Sequence, residues 1–162
     1  MKKTCLLLLL VLSLTGCAEA EVFETVEDEA VLSVMGETRE IKLTLPEDTI
    51  LPVMETDSGT LYMCGDYDIA VQTLESGNLS GTIMQVTGQA MDDLTVITTA
   101  RDEMDCYEFV WTAAGDLGEQ VCRGMILDDG DYHYILTAAA DAELVGEYQE
   151  IWNGIFESCS LA

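Results

Sequence analysis

Four strand-length runs follow one another in the second half of the sequence, and they constrain the fold more than any other feature. The runs cover residues 95–101, 106–113, 119–127 and 131–138. Only a few residues separate each run from the next, and connections that short join antiparallel neighbours, because parallel strands need a crossover of about a dozen residues or more. The sequence therefore predicts a β-meander, within an α+β domain built on a single antiparallel sheet.

The Asp129-Gly130 pair predicts a two-residue hairpin loop between the last two runs. A type I′ turn needs positive φ at both central positions, and Asp-Gly is one of the pairs that favour it. In that register Ile126 lies opposite His133. The side-chain period of a strand is two, so an error of one residue here would exchange the two faces of the sheet.

A second two-residue loop, at residues 115–116, predicts which side chains share a face. It places Cys122 opposite Phe109. The more apolar face then carries Tyr107, Phe109, Trp111, Cys122, Ile126, His133 and Ile135. The other face carries Cys106, Glu108, Val110, Arg123, Tyr132 and Tyr134. We expect the C-terminal helix to cover the more apolar face.

Two helices are predicted to pack on this sheet. The first has Asn78 as its N-cap and stops at Gly88, since glycine readily adopts the left-handed conformation that ends many helices. The second is a long amphipathic helix at the C-terminus, with Asp141 as its cap. Its apolar residues form one stripe at helical spacing: Leu144, Val145, Tyr148, Ile151, Trp152, Ile155 and Phe156.

The preceding part of the chain adds further strands to the predicted sheet. We expect them at residues 31–35, 40–45, 60–64 and 67–74. The stretch 46–52 has proline at both ends. Proline donates no ladder hydrogen bond, so this stretch is expected to be a connection.

The N-terminus carries an export signal. Lys2 and Lys3 precede an apolar run over residues 6–14, which is too short to span a bilayer and has the length of a signal-peptide core. The run ends in Leu14-Thr15-Gly16-Cys17, which resembles the lipobox of bacterial lipoproteins. The resemblance implies cleavage before Cys17 and a diacylglyceryl group on its thiol, and two acyl chains anchor a protein stably.

The same resemblance implies the domain organisation and the location of the protein. Residues 1–16 are a signal peptide, residues 17–29 an acidic tether and residues 30–162 a single globular domain. The protein is then exported and lipid-anchored on the extracytoplasmic face of the bacterial cell membrane. Ala18, directly after the lipidated cysteine, resembles the sorting signal for an outer membrane where the cell has one.

Acidic residues far outnumber basic ones: the chain has 31 Asp and Glu against 6 Lys and Arg, and a formal net charge of −25. Removal of residues 1–16 takes away Lys2 and Lys3 and leaves −27. This charge argues against nucleic-acid binding, which requires basic residues to neutralise phosphates, and against docking on anionic lipid through a basic patch. It favours a solvated acidic surface or, where acids cluster, a site for a cation or a cationic partner.

Four cysteines remain in the mature chain, and an even number in an exported domain suggests disulfides. The predicted face pattern places Cys122 beneath the C-terminal helix, whose apolar stripe ends near Cys159. This favours a Cys122–Cys159 bridge and leaves Cys64 to pair with Cys106. Three pairings are possible, and a reducing habitat would leave all four as thiols.

A meander whose last strand leads into a terminal helix resembles the PsbP-like fold, a family of unknown function. The resemblance lies in the element order over residues 79–161 and in the closing sequence Ile155-Phe156-Glu157-Ser158. It implies a small non-catalytic module, an antiparallel sheet covered by helices, of the kind found in photosystem accessory proteins and bacterial envelope lipoproteins. No ligand-binding residue carries over, because the fold has no common catalytic motif.

No residue pattern predicts catalysis, a metal site or a cofactor. His133 is the one group suited to act as a base near neutral pH, and we expect a hydrogen-bonded structural role for it. The run Asp128-Asp129-Gly130-Asp131 lacks the alternating acids and the closing glutamate of a calcium loop, so a hairpin turn is expected. Three tyrosines are candidates for contact with a partner: Tyr62, Tyr132 and Tyr134.

The sequence therefore predicts a non-catalytic lipoprotein, held at the membrane through Cys17, that serves as an accessory or adaptor module for a protein partner in the cell envelope. The alternative is a solitary protein that binds a small ligand or a cation. A carboxylate-dependent hydrolase is the third hypothesis, since 31 acidic residues could supply a facing pair.

Overall fold

A computed structural model describes residues 35–47, 49, 52–115 and 118–162 of the chain. The predicted signal peptide at 1–16, the tether at 17–29 and the lipidation residue Cys17 lie outside the described residues. All but the last residue of the strand predicted at 31–35 also lies outside them. The described residues therefore begin at Met35.

The described residues form nine strands, two α-helices and one 3-10 turn. The strands are β1 (Ile41–Lys42), β2 (Met54–Thr56), β3 (Gly59–Met63), β4 (Tyr67–Glu75), β5 (Val96–Arg101), β6 (Met104–Ala114), β7 (Glu119–Asp128), β8 (Tyr132–Asp141) and β9 (Ser160–Leu161). The helices are α1 (Leu79–Thr87) and α2 (Val145–Ser158), and the 3-10 turn covers Met91–Asp93. The short strands β2 and β9 were not expected from the sequence.

Seven of these strands form one antiparallel sheet in the order β2-β3-β4-β8-β7-β6-β5. Strands β5 to β8 are neighbours both in sequence and in space, which confirms the predicted meander. Strand β8 also pairs with β4 along nine residue pairs, so this pairing joins the two halves of the sheet. The expectation of a single sheet is only partly correct, because β1 and β9 form a separate two-stranded sheet.

The hairpin between β7 and β8 has a longer loop than the predicted one. Asp128 pairs with His133, so four residues lie between them, and Ile126 faces Ile135 rather than His133. The observed partner of Ile126 is thus two positions further along β8 than the predicted one. Because the side-chain period of a strand is two, every residue of the hairpin keeps its predicted face.

The predicted register of the hairpin between β6 and β7 is wrong by the same amount. Cys122 faces Trp111 rather than Phe109, again a shift of two positions that preserves the faces. Phe109 instead lies opposite Gly124. Glycine has no side chain, so the phenyl ring packs directly over the backbone of β7 at that point.

Helix α1 forms where the sequence predicts it and covers the predicted apolar face. The side chain of Asn78 accepts a hydrogen bond from the N–H of Gly81 at 2.7 Å, and Gly88 ends the helix in the left-handed conformation. Ile83 is fully buried against this face. The cluster beneath α1 contains Ile83, Phe109, Trp111, Cys122, Ile126 and Ile135.

Helix α2 covers the opposite face from the one that we expected. The cluster beneath it contains residues from β4, β6, β7 and β8 together with its own apolar stripe, including Cys106, Met125, Leu127, Tyr134, Leu136, Trp152, Ile155 and Phe156. Both faces of the sheet are therefore apolar at their centre. Polar residues on the face beneath α2 had suggested that the helix would not cover it. Two of them pair with each other, because Arg123 donates to Glu108 at 2.9 Å, and the guanidinium of Arg123 lies 4.3 Å from the ring centroid of Phe156.

Helix α2 begins later than predicted. Its first residue is Val145, and it has 14 residues, so it is shorter than the long helix expected from Asp141 onward. Asp141 instead ends β8, where it pairs with Gln120 of β7. The strand pairing holds this residue in an extended conformation, and the cap residue Leu144 makes no side-chain hydrogen bond.

Candidate functional site

The acidic hairpin between β7 and β8 uses its carboxylates to stabilise its own loop. The side chain of Asp129 accepts hydrogen bonds from the N–H groups of Asp131 and Tyr132 at 3.1 and 2.8 Å, and Asp128 accepts from the N–H of Gly130 at 2.9 Å. Such Asx contacts replace the backbone bond of a tight turn. Asp129 and Tyr132 keep one backbone hydrogen bond, from the N–H of Asp129 at 3.3 Å, and the Asp129 carboxylate takes the place of the second.

The segment that precedes β1 is fastened to this hairpin. The N–H of Gly36 donates to Asp131 at 2.9 Å. The N–H of Arg39 donates to the hydroxyl of Tyr134 at 3.0 Å, and that hydroxyl donates to Asp129 at 3.1 Å. The Nε atom of Arg39 lies 3.9 Å from the same carboxylate. The hairpin loop and the entering chain thus form one surface.

The turn between β5 and β6 lies beside that surface and has an uncommon backbone conformation. Its two central residues, Asp102 and Glu103, have φ values of 50° and 67°. Positive φ at both positions is typical of a type I′ turn, which usually contains glycine or asparagine. The sequence offered no glycine here, so this tight turn was missed, whereas the Asp129-Gly130 pair suggested one where a wider loop forms.

An open cavity of about 430 Å³ lies between the two turns. Its wall contains one cation, Arg39, and five carboxylates, from Asp102, Glu103, Asp105, Asp128 and Asp129. We term this cavity and its carboxylates the acidic end. One guanidinium cannot balance five carboxylates, so the acidic end has a negative potential that attracts cationic groups.

A second open cavity, of about 510 Å³, adjoins the acidic end through Arg39. Tyr62 and Tyr132, two of the three candidate tyrosines, line it and are half-buried. Four further carboxylates line it: Glu40, Glu55, Asp57 and Glu75. The third tyrosine, Tyr134, is not available to a partner, because it is only 2% exposed and its hydroxyl bonds within the fold.

His133 is fully buried and connects three parts of the fold. Its Nδ1 atom lies 2.7 Å from the hydroxyl of Thr82 in α1, and its Nε2 atom lies 3.3 Å from Asp128 and 3.4 Å from Ser76. A Ser-His-Asp hydrolase places its serine and its carboxylate at opposite ring nitrogens. Here Ser76 and Asp128 both lie at Nε2, and the hydroxyl at Nδ1 belongs to Thr82, which is only 6% exposed. The arrangement fits a structural link between α1 and the hairpin.

The four cysteines of the described fold are buried thiols. Cys64, Cys106 and Cys159 belong to the cluster beneath α2, whereas Cys122 belongs to the cluster beneath α1. Neither the Cys122–Cys159 nor the Cys64–Cys106 bridge is formed, and the sheet separates the first pair. That pairing depended on α2 covering the other face. Burial raises the pKa of the thiols of Cys106 and Cys122, and raises that of Cys159 to about 11.

The described part of the chain has neither a cluster of metal-binding side chains nor a helix suited to cross a membrane. Within residues 35–47, 49, 52–115 and 118–162, no group of three or more His, Cys, Asp or Glu side chains could hold a metal ion. In the same ranges no helix has both the length and the apolar character needed to cross a membrane.

Comparison with known proteins gives a likeness of fold. No family model and no curated protein matches the sequence. Among solved structures, CyanoP of Synechocystis is 10% identical with a TM-score of 0.54, over 75% of this chain and 92% of that chain. LpqN of Mycobacterium tuberculosis, described as involved in cell envelope biogenesis, is 12% identical with a TM-score of 0.53, over 77% and 84%.

A Bacteroides thetaiotaomicron protein is 8% identical with a TM-score of 0.52; the match covers 75% of this chain but only 45% of that protein, so this chain spans less than half of its length. At these identities the likeness shows the fold alone. It supports the predicted PsbP-like architecture of an antiparallel sheet with helices on it.

Proposed function

We propose that the protein is a non-catalytic accessory module of the bacterial cell envelope that binds a basic partner protein through its acidic end. The observation that carries the proposal is the open cavity in which five carboxylates face a single cation, Arg39. The likeness of fold to LpqN, a protein involved in cell envelope biogenesis, supports the setting.

The construction of the acidic end favours a protein partner. The loop that contains Asp128 and Asp129 is stabilised by its own hydrogen bonds, so its shape exists before binding. Asp102, Glu103 and Asp105 are exposed at its rim. The adjoining cavity adds half-buried tyrosines, a residue type that is enriched at protein interfaces. Lysine and arginine side chains of a partner would pair with the rim acids, and such contacts speed association and weaken as salt is added.

Lipid anchoring at Cys17 is part of the proposal. Its support is the lipobox at residues 14–17, followed by the acidic stretch 17–29 that would hold the domain away from the membrane. Cells fed a labelled fatty acid should label the wild-type chain and the Cys5→Ala variant equally, because Cys5 lies in the part that is removed. Cys17→Ala should lose the label and leave the membrane fraction. Continued acylation of Cys17→Ala would show that the assignment is wrong.

The partner proposal is tested by crosslinking in cells, followed by capture of the protein and mass spectrometry. One protein recovered in near-equal amount, with a basic surface, is the expected result. The test variant removes three rim charges: Asp102→Asn, Glu103→Gln and Asp105→Asn. The control variant removes three exposed acids at or near α2: Glu143→Gln, Glu147→Gln and Glu150→Gln.

Both variants change the net charge by the same amount, so the comparison separates the acidic end from the general field of the protein. The rim variant should recover less of the partner and the control variant as much as the wild type. Equal losses in the two variants would contradict the proposal, as would the absence of any protein recovered above background.

A further inference from the structure

Strand β5 forms one edge of the seven-stranded sheet. Its six residues, Val96–Arg101, pair in unbroken register with β6 on one side. On its other side, no strand of the described residues pairs with it. Residues 97–100 are all exposed, so the outer side of the strand is open to solvent.

The hairpin geometry determines which backbone groups of β5 point outward. Arg101 and Met104 flank the two-residue turn at 102–103, so their backbones bond to each other. Hydrogen-bonded and non-hydrogen-bonded pairs alternate along an antiparallel ladder. The N–H and C=O groups of Val96, Thr98 and Ala100 consequently point away from β6. Every second residue of β5 thus offers the donor and acceptor that an added strand requires.

This edge lacks the features that usually prevent strand pairing. Native edge strands are blunted by short length, by proline, by charged side chains or by a bulge. The opposite edge follows this rule, since β2 has only three residues and one of them is Glu55. Strand β5 contains no proline, lysine or acidic residue. Its one charged residue, Arg101, is the last of the strand, and its guanidinium donates to the carbonyl of Phe156 at 2.7 Å.

Acidic residues flank both ends of this neutral edge. Asp92 and Asp93 precede β5 and are exposed. Asp102 and Glu103 follow it, at the rim of the acidic end. A strand with a neutral centre and a basic residue at each end would match this pattern. A second copy of the chain would not, because antiparallel pairing of two β5 strands would bring the acids before one strand beside the acids after the other.

An open cavity of about 570 Å³ beside β5 has room for side chains of an added strand. Ile97 of β5 and Val110 of β6 line it and are 59% and 57% exposed. The two side chains lie on one face of the sheet, since Ile97 pairs with Glu108, two positions from Val110. Alternate side chains of an added strand point to this face, so apolar residues there would cover both.

We propose that β5 binds an extended segment of the basic partner protein, which joins the seven-stranded sheet as a further strand. The segment has β-branched residues at its centre and a lysine or arginine at each end. Its backbone pairs with Val96, Thr98 and Ala100, and its apolar side chains cover Ile97. This inference rests on the proposed function, because it names the part of the partner that is bound next to the acidic end.

The experiment is hydrogen exchange followed by NMR on the purified, ¹⁵N-labelled full chain, with and without the peptide acetyl-Lys-Thr-Val-Thr-Ile-Thr-Lys-amide. The outward amides of Val96, Thr98 and Ala100 should exchange fast in the free protein. Saturating peptide should slow them by about tenfold or more, because their hydrogens then bond to the added strand. The amides of Ile97 and Thr99 bond to β6, so they should already exchange slowly in the free protein.

Two altered peptides separate the contribution of charge from that of the backbone. Glutamate in place of both lysines should weaken binding by roughly tenfold, since acids at both ends of β5 would repel it. N-methyl groups on two adjacent central amides block pairing through either edge of the peptide. This second peptide should give no protection, although its side chains are unchanged.

Two variants of Thr98 locate the binding on the protein. Thr98→Pro removes one outward N–H at an edge position, where proline is tolerated, and places its ring where the added strand would lie. Thr98→Val is the matched control, because it keeps the N–H and a side chain of the same shape. Thr98→Pro should lose the peptide, and Thr98→Val should bind it as the wild type does.

Three results would overturn the proposal. The first is unchanged exchange at Val96, Thr98 and Ala100 when the peptide is added. The second is equal affinity for the lysine and glutamate peptides. The third is protection of the same amides in the free protein that grows with protein concentration, because the occupant would then be a second copy of the chain.

Crosslinking in cells separates this inference from the proposed function. If Thr98→Pro captured the basic partner as well as Thr98→Val does, the partner would be real and the strand pairing wrong. The absence of any captured partner would contradict the proposed function, whereas protection by the peptide would still show that β5 accepts an added strand.

Discussion

The Nδ1 atom of His133 lies 2.7 Å from the Oγ1 atom of Thr82, so a buried contact between two side chains links β8 to α1. Thr82→Val keeps the shape of the side chain and removes the hydroxyl, which leaves a buried ring nitrogen without this partner. We expect a loss of about 1–3 kcal/mol in the free energy of unfolding. Urea unfolding of the variant and the wild type measures it.

The control for this prediction is Thr98→Val, at an exposed position of β5. Surface substitutions of this kind usually change stability by less than about 0.5 kcal/mol. If Thr82→Val were as stable as Thr98→Val, the contact with His133 would contribute nothing to the fold.

A side chain at position 124 is expected to clash with Phe109. A Cβ atom at this position would lie 2.5 Å from Cε2 of Phe109, far inside van der Waals contact. Gly124→Ala should therefore destabilise the fold by about 1–3 kcal/mol. Gly154→Ala, at an exposed site in α2 with nothing within 4 Å of the new methyl group, should stabilise it by about 0.5–1 kcal/mol. Calorimetry on both variants should give midpoint shifts of opposite sign, and shifts of the same sign would contradict this account.

Replacement of Glu103 by glycine is expected to increase the stability of the fold. Its φ of 67° is strained for a residue with a side chain and is readily adopted by glycine. Glu103→Gly should raise the free energy of unfolding by about 0.5–1 kcal/mol, the strain relieved minus the greater freedom of glycine in the unfolded chain. The same change at Glu55 of β2, where the backbone is extended, should lower stability by a similar amount. Denaturant titration distinguishes the two, and a loss at Glu103 would show that its turn is unstrained.

We expect the protein to lose stability at high pH because of the buried thiol of Cys159. Burial raises the pKa of its thiol from 9.0 to about 11; the nearby Arg101 lowers the pKa and Cys106 raises it further. The folded protein thus holds the proton to higher pH than the unfolded chain does. This contribution is complete below about pH 9 and is lost as the pH rises through about 11. Cys159→Ser has no thiol to titrate, so its unfolding free energy should fall less steeply over that window, and equal slopes would rule the effect out.

The elements of the fold were largely predictable from local signals. Asn78 caps α1 through its side-chain oxygen and Gly88 ends it through its left-handed backbone conformation, both as expected. Each effect is local, since it acts within one turn of the helix. The stripe of α2 gave its three buried residues, Trp152, Ile155 and Phe156, because helical spacing alone places them on one side. The meander followed from the short connections between its strands, which leave only antiparallel pairing open.

The assignment of helices to faces was not predictable, because both sides of the central strands bury apolar residues. Met125 and Leu127 lie beneath α2, while Ile126, between them, lies beneath α1. A strand covered on both sides lacks the alternation that identifies a solvent face. The error then passed to the cysteines, whose pairing had been inferred from the face assigned to α2.

The acidic end was also outside the reach of sequence reasoning. Its carboxylates lie in two turns and in the strand ends beside them, more than twenty residues apart in the sequence, and Arg39 lies in the segment before β1. With 31 acidic residues in the chain, no local pattern singled out these five. The sheet brings them together. Because β5 to β8 run antiparallel, the β5–β6 and β7–β8 turns lie at the same end of the strands.

The pairing of β1 with β9 has a practical consequence for anyone who handles this protein. The backbones of Glu40 and Ala162 exchange two hydrogen bonds, of 3.2 and 3.0 Å, so Ala162 lies directly beside the residue that precedes β1. Glu40 in turn lines the cavity that adjoins the acidic end. An affinity tag fused after Ala162 would therefore emerge next to that cavity and compete with whatever binds there, whereas an epitope inserted at the β6–β7 loop would leave it clear.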